Sequence, residues 1–298
     1  MRPESAKANE VLNIPYRVLD NGFVALIDYM GADSTVATDA RRSYQGGTTK
    51  KSTDERLTRR LYEDRHTSPF EMVELKFYVS APIVVVRELF RHRTASVNEL
   101  SGRYSEIPAE FYIPAQFRTQ STVNRQGSGE ELNRVESALL QQRYLTASQA
   151  SYSLYTDALD RGVAREHARI CLPVNIYTNF VWKIDLHNFL HFCGLRRDMA
   201  AMQEIREYAH VMFSLAETVA PTACGAFMDN HPAMYGGKFN REEMELLRRL
   251  VGGAAQSSLT EEETYSKLLS SVLAKLNPKQ IESRPLSSLV ALTKLGDY

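Results

Sequence analysis

Cysteine is scarce in this chain, with three among 298 residues, and Cys171, Cys193 and Cys224 lie far apart with no CxxC pair. A set that is odd in number and dispersed argues against a disulfide framework or a zinc knuckle and suits a reducing compartment, so the three are read as structural. Net charge is lacking too: 36 Lys and Arg balance 36 Asp and Glu, so no global field holds a polyanion. Anion chemistry must then come from local clusters. No apolar run is long enough to span a bilayer, the densest being Ala81 to Val86, and the opening MRPESAKANEVLN lacks the apolar stretch of a signal peptide. A cytoplasmic protein is expected, with no membrane association. There is no GxGxxG and no P-loop, since Gly46 to Lys50 (GGTTK) has the wrong spacing, and no internal repeat or heptad seam is visible.

What is present is a 43% hydrophobic chain able to bury a sizeable core. Tyr16 to Tyr29 alternates around an Asp20-Asn21-Gly22 turn signal and predicts a hairpin. Asp33 to Tyr44 and Thr53 to Arg65 read as helices, a Ser68-Pro69 break follows, and Glu71 to Ser80 alternates as a half-buried strand. Pro82 suits the first position of a helix running to Arg93 on an Ile83, Val86, Phe90 stripe. Pro108 to Pro114 and Thr119 to Gly129 read as surface loop. The remainder reads as helical: Glu130 to Leu159, interrupted at Gly162, then Val163 to Cys171, then Thr178 to Ala220 with Gly194 as the break. Beyond Pro221 a Gly/Pro-punctuated stretch reaches Lys238. Amphipathic segments follow at Arg241 to Val251, Glu261 to Leu276 (with a Thr260/Glu263 capping box) and Leu286 to Leu295.

Four clusters carry the chemistry-bearing residues. Arg87 to Glu106 sets Arg87, Arg91, Arg93 and Arg103 among Glu88, Glu99 and Glu106, with Arg87 and Arg91 at helical i,i+4 spacing, where a bound anion would relieve repulsion. Ser101-Gly102-Arg103 adds a hydroxyl, an approachable backbone and a guanidinium fork, the parts that hold a phosphate. The ordinary alternative is a Ser96/Glu99 capping box with solvated salt bridges. The second cluster is His66 to Glu71 (HTSPFE). The third is REHARICLPVNIYTNF, with Arg165 and Arg169 again four apart ahead of Leu172-Pro173. The fourth is Trp182 to Arg196 (WKIDLHNFLHFCGLR), where His187 and His191 have zinc-compatible spacing. Asn188 stands where a zinc hydrolase needs its Glu base and no third ligand is evident, so no metal is expected.

The string RHRTASVNELS, Arg91 to Ser101, resembles the signature of the flavin-dependent thymidylate synthase family, an Arg-His-Arg followed by seven residues and a serine; Glu99, Gly102, Arg103 and Tyr104 agree with it as well. His66 to Glu71 is similar to the family's segment ahead of its long strand, with Ser68 where threonine is common. The resemblance covers Tyr16 to Phe227. It departs at Arg197 to Gln203, where Ala200 matches the family's histidine, before Glu204 and Ile205 rejoin. It implies an α+β fold with a mixed β-sheet core and surrounding helices, a domain over 1–227, and leaves 228–298 as a helical C-terminal extension.

For function the resemblance implies conversion of dUMP to dTMP, with methylenetetrahydrofolate as one-carbon donor and FAD, reduced by NADPH or NADH, as hydride source. It makes His66, Ser68, Glu71, Arg91, His92, Arg93, Glu99, Asp185, His187 and His191 flavin neighbours. It makes Glu88, Arg91, Glu99, Leu100, Ser101, Gly102, Arg103, Arg169 and Arg196 nucleotide contacts, with Ser101 and Arg196 the catalytic pair. Arg196 polarises the uracil, and Arg169 reaches a phosphate across a subunit boundary of a homotetramer. Uracil C5 is activated either by thiolate addition at C6 or by stabilising negative charge on the ring. Neither Cys171 nor Cys193 has an evident basic partner, so charge stabilisation by Arg196 is the favoured route. Three other readings stay open: a C5-methylase acting on UMP, a nucleic-acid-binding module built on the arginine clusters, and an inactive fold relative. The neutral charge and the lack of an exposed aromatic series weigh against the module, and retention of the signature weighs against the inactive relative.

Overall fold

A computed structural model describes residues 3–43, 52–122 and 127–231, together with residue 245. Most of the expected tail helices, the Gly46 to Lys50 segment and the 228–298 extension beyond His231 therefore lie outside the described residues. The sheet begins with the hairpin the turn signal predicts, β1 (Tyr16–Val18) and β2 (Gly22–Met30). Gly22 is there for space: a Cβ would collide with the Tyr208 hydroxyl and lie 2.8 Å from the carbonyl oxygens of Ser80 and Val18. After α1 (Ala6–Val11), α2 (Asp33–Arg42) and α3 (Asp54–Glu63), the Ser68-Pro69 pair opens a one-turn helix, α4 (Ser68–Glu71), and does not simply break the chain. Strand β3 (Glu74–Pro82) follows, three residues later than its predicted start. Its alternation is as expected, with Leu75, Phe77 and Val79 fully buried between the half-buried Glu74, Lys76 and Tyr78.

The helix after β3, α5 (Ile83–Leu89), is shorter than predicted and ends before the Arg-His-Arg signature. Arg87 and Arg91 thus do not share a helical face. Ser96 and Glu99 do not form a capping box either, because Ser96–Glu99 is a strand, β4. The expected loop carries a small separate hairpin, β5 (Arg118–Gln120) with β6 (Ser128–Glu131). The long helix α6 (Arg134–Asp160) ends where Gly162, at φ +81°, takes the left-handed conformation that suits glycine after a helix. One turn of helix, α7 (Arg165–Ala168), and a 3₁₀ turn (Arg169–Cys171) come next.

The largest departure is β7 (Tyr177–Asp185), which from Thr178 onward replaces the start of the stretch read as helical. Phe180, Trp182 and Ile184 are buried and alternate with less buried neighbours, so the period is two and not 3.6. Gly194 breaks nothing; it sits inside α8 (Leu186–Arg196), and the true interruption is the Arg197 to Met202 loop before α9 (Gln203–Val219). Pro221 does not end the helical part, being the first residue of α10 (Pro221–Asn230).

The five strands run β1-β2-β3-β7-β4 with every pairing antiparallel, so the α+β class stands while the sheet is not mixed. One face is covered by α8 and α9, whose Leu186, Phe189, Phe192, Tyr208 and Met212 are fully buried in the core with Phe77 and Trp182. Each large apolar side chain withdrawn this way contributes about 1.5–3 kcal/mol. Among the described residues, no helix is long and apolar enough to cross a membrane.

Candidate active site

The short α5 and the inward face of α8 meet around one arginine. Arg196, in the last turn of α8, donates from Nε to His92 Nε2 at 3.1 Å and from Nη2 to the Glu88 carbonyl oxygen at 3.2 Å, while Nη1 pairs with Glu88 Oε2 at 2.8 Å. His92 is placed by the turn that ends α5, its N–H donating to the Leu89 carbonyl oxygen at 3.0 Å. Its ring packs edge-on against Phe192 at 5.0 Å, with His191 6.1 Å away. Burial first, then the Arg196 charge and His191, push the His92 pKa down to about 4. His92 is therefore neutral at working pH, with its Nε2 lone pair facing the guanidinium. Three of the fork's five N–H donors are used, and the group is 19% exposed, so the remaining two are available to a ligand.

Four residues of strand lead from His92 to the second group. β4 ends at Glu99, whose Oε1 accepts from the buried Thr178 hydroxyl of β7 at 2.9 Å, and Leu100 N–H donates to the Asn179 carbonyl oxygen at 2.8 Å. Glu99, Leu100, Gly102, Arg169 and Thr178 line a cavity of about 190 Å³ together with Ile83 of α5 and Tyr177. Gly102 is needed here, because a Cβ would stand 2.8 Å from Ile107 Cδ1 and 3.3 Å from Arg169 Cδ. The Arg169 stem lies against that glycine within one chain, and the residue is exposed, so its charged end is accessible. Ser101 makes a tight turn: its carbonyl oxygen accepts from Tyr104 N–H at 3.0 Å and Ser105 N–H at 3.1 Å, and its Oγ accepts from Arg103 N–H at 3.3 Å. Arg103 pairs with Glu166 at 3.3 Å, and Arg165 approaches Glu106 at 3.9 Å, both exposed pairs of small energetic weight.

A third group forms a cavity of about 80 Å³ lined by His66, Thr67 and Arg65 from the end of α3 onward, His187 and His191 of α8, and His231. His191 belongs to both this cavity and the surroundings of His92, which ties the first group to the third. Four imidazoles, Thr67 and Phe70 are among the residues that line it, and no carboxylate does. Among the described residues, no group of three or more His, Cys, Asp and Glu could hold a metal ion.

Of the predicted flavin neighbours, His66, His187 and His191 come together, and His92 joins them through His191. Ser68 and Glu71 lie on α4 and do not line the cavity; Asp185 caps α8, its two oxygens accepting from Asn188 N–H at 2.9 Å and Asn188 Nδ2 at 2.8 Å. Arg91 and Arg93 are exposed on either side of His92. Of the predicted nucleotide contacts, Glu99, Leu100, Gly102 and Arg169 share the larger cavity, whereas Glu88 and Arg196 stand with His92. Tyr177 and Thr178 lie within the REHARICLPVNIYTNF string, as Thr67 lies within HTSPFE, but none of the three was named for the site, and Thr178 was read as the start of a helix; His231 follows the end of the resemblance. Behind the larger cavity the Tyr177 hydroxyl bonds to Asp20, and the nearly buried Glu204 accepts from Tyr112 at 2.9 Å and Arg118 at 2.9 Å. The departure at Arg197 is filled by packing: the guanidinium lies 4.1 Å over the Phe213 ring and donates to Met228 Sδ at 3.1 Å and His210 Nδ1 at 3.3 Å. Burial pushes the Cys193 and Cys224 thiols up, which disfavours a thiolate at either.

An antiparallel sheet backed by α8 and α9, with one cavity lined by arginine, glycine and carboxylate and another lined by histidines, carries the residue types of a small-molecule enzyme. The chain belongs to the Thy1 family, described as thymidylate synthase complementing protein, which matches residues 25–222. It is 45% identical over 244 residues to the flavin-dependent thymidylate synthase of Treponema denticola, covering 80% of this chain and 90% of that one. To the flavin-dependent thymidylate synthase of Thermus thermophilus it is 45% identical over 262 residues, 88% of this chain and 91% of the relative. Among solved structures it is similar to the UMP/dUMP methylase PolB of Streptomyces cacaoi bound with 5-Br dUMP, with a TM-score of 0.64 and 30% identity, covering 71% of this chain and 97% of that one.

Proposed function

We propose that the chain is a flavin-dependent thymidylate synthase that converts dUMP to dTMP, and that Arg196 is the residue that activates the uracil. The observation that carries this is the seating of Arg196 of α8 between neutral His92 and Glu88; Glu88 lies on α5, whose Ile83, about 7.5 Å further along the helix axis, lines the cavity of Glu99, Gly102 and Arg169. A guanidinium fixed on two sides and open on the others stabilises negative charge on a ring carbonyl without reorganising during the reaction. His92, kept neutral, accepts from Arg196 and does not repel it. Arg169, with the backbone at Gly102 and Ser101, holds the phosphate, and Arg103 guards the entrance. Thr178 fixes Glu99 against the sugar side of the nucleotide.

FAD, when bound, supplies the hydride that completes the methyl group. His66, His187 and His191 would hold its ring system, with Arg91 and Arg93 on the outer side. Ser68, Glu71 and Asp185 would contribute only from the cavity's margin. NADPH or NADH serves as reductant and methylenetetrahydrofolate as carbon donor, with tetrahydrofolate leaving. The assembly is a homotetramer working in the cytoplasm on small molecules. Zero net charge supports the exclusion of nucleic acid from its partners. A second reading, methylation of UMP, is favoured by the likeness to PolB, whose name covers both nucleotides. The test is product analysis by mass spectrometry on the full chain with FAD, methylenetetrahydrofolate and NADPH, with dUMP and UMP in separate arms. Yellow protein and dTMP in the dUMP arm are expected. Protein that ignores added FAD, or methylation confined to UMP, overturns the reading.

A further inference from the structure

From Arg103 to Glu110 every residue is exposed except Ile107, which is half-buried and belongs to no regular element. A helix holds it by both of its backbone groups. Ile107 N–H donates to the Tyr155 hydroxyl oxygen at 3.2 Å, and the Tyr152 hydroxyl donates to the Ile107 carbonyl oxygen at 2.9 Å. Both tyrosines stand on α6, three positions apart on one face, with ring centroids 5.5 Å apart, and Tyr155 is fully buried. Backbone groups of a surface loop can turn to water, so two side-chain hydroxyls spent on a single residue fix that residue in place. Burial, then Tyr155 and Glu106, push the Tyr152 pKa up, which keeps on its oxygen the proton it donates.

The side chain so fixed is part of the wall of the larger cavity. Ile107 lines it, and its Cδ1 comes within 2.8 Å of where a Cβ at Gly102 would stand. The Arg169 side of the lining leans on the same turn of α6: Cys171, in the 3₁₀ turn that begins at Arg169, donates from Sγ to the Ser151 carbonyl oxygen at 3.4 Å. Tyr152 also meets Phe111 edge-on at 6.0 Å, and Phe111 bridges to Ile176, next to the cavity residue Tyr177. One turn of a helix that carries no motif of its own thus underlies the cavity at several points.

We propose that Tyr152 and Tyr155 are positioning residues for nucleotide binding, which clamp Ile107 against Gly102 and so hold the turn from Ser101 to Arg103 in the shape that receives the phosphate. The proposal rests on the reading that Arg169, with the backbone at Gly102 and Ser101, holds that phosphate. Neither tyrosine touches the nucleotide; each acts through the Ile107 side chain.

The test is steady-state kinetics of the full chain with FAD bound, varying dUMP, with FAD affinity measured alongside. Tyr152→Phe and Tyr155→Phe each remove one hydroxyl and keep the ring, and each raises KM for dUMP by about three- to tenfold, the loss of one neutral hydrogen bond, with kcat and FAD affinity unchanged. In an Ile107→Ala background, where the side chain they act through is gone, Tyr152→Phe raises KM no further. A loss of equal size in that background refutes the route through Ile107. A fall in kcat or in FAD affinity together with the rise in KM marks general loosening of the fold and refutes the positioning role. Arg169→Ala is the control for the cavity itself. If Arg169→Ala raises KM while both tyrosine variants behave as the wild type does, the cavity is the nucleotide's and the clamp is refuted. If none of the three changes KM, the nucleotide lies elsewhere and the proposal falls with the cavity. Should Tyr155→Phe fail to fold, Tyr152→Phe, at the half-buried position, carries the same expected loss.

Discussion

In the proposed site Arg196 and Arg169 both face the nucleotide, yet their surroundings suit them to different work. Arg196 is held by three hydrogen-bonded or ionic contacts and is mostly enclosed, while Arg169 lies exposed with its stem against Gly102. A charge-assisted hydrogen bond contributes about 1.5–3 kcal/mol, so Arg169→Ala should weaken dUMP binding about ten- to a hundredfold, with saturating nucleotide restoring much of the rate. Arg196→Ala should lower turnover even at saturation, because its contact strengthens as charge develops on the ring. Steady-state kinetics at saturating dUMP, with flavin reduction followed separately, decides it; near-normal turnover of Arg196→Ala would reduce Arg196 to a binding residue. At this scale the residues themselves were legible in sequence, since the arginines, histidines and Gly102 are chemically conspicuous. Their partners were not: nothing local in the string pairs Arg196 with His92, 104 positions away, or Glu99 with Thr178.

The elements divide by how local their signals are. The first hairpin and α3 were readable because turn and cap residues act within a few positions: Thr53 accepts from Arg56 N–H as the cap of α3. β7 was not read, although Phe180, Trp182 and Ile184 alternate in a run rich in β-forming residues. The apolar periodicity of α8 directly after it lent a helical period to the whole stretch. α10 shows a cap that no local pattern reveals. Its first N–H groups, Thr222 at 2.6 Å and Ala223 at 3.0 Å, donate to the two carboxylate oxygens of Asp33, which itself opens α2. One carboxylate therefore serves the positive ends of two helices. Asp33→Ala should destabilise the fold by about 1–2 kcal/mol and lower the unfolding midpoint by a few degrees, with Asp33→Asn recovering part of the loss. Thermal unfolding by calorimetry checks this, and an unchanged midpoint for Asp33→Ala would show that the cap carries no weight.

For the whole molecule, the open question of chemistry is whether one chain completes a site. Arg169 and Gly102 meet within a chain, but the exposed end of Arg169 also suits the proposed homotetramer, in which it reaches a neighbour's phosphate. Mixing chains carrying Arg169→Ala with chains carrying Arg196→Ala should then regenerate intact sites, about a quarter of them by random assembly. Activity at low dUMP measures it, and the absence of any recovery would assign Arg169 to its own chain. The antiparallel order β1-β2-β3-β7-β4 has a separate consequence for the chain as it is made. β3 ends at Pro82 and its partner β7 begins at Tyr177, so 95 residues must emerge before the central pair can close. At roughly 5–20 residues per second, that is about 5–20 seconds during which the ribosome-bound chain presents Leu75, Phe77 and Val79 on an unpaired edge. The polar neighbours Glu74 and Lys76 on that strand are what stands between the nascent chain and its own kind until Trp182 arrives.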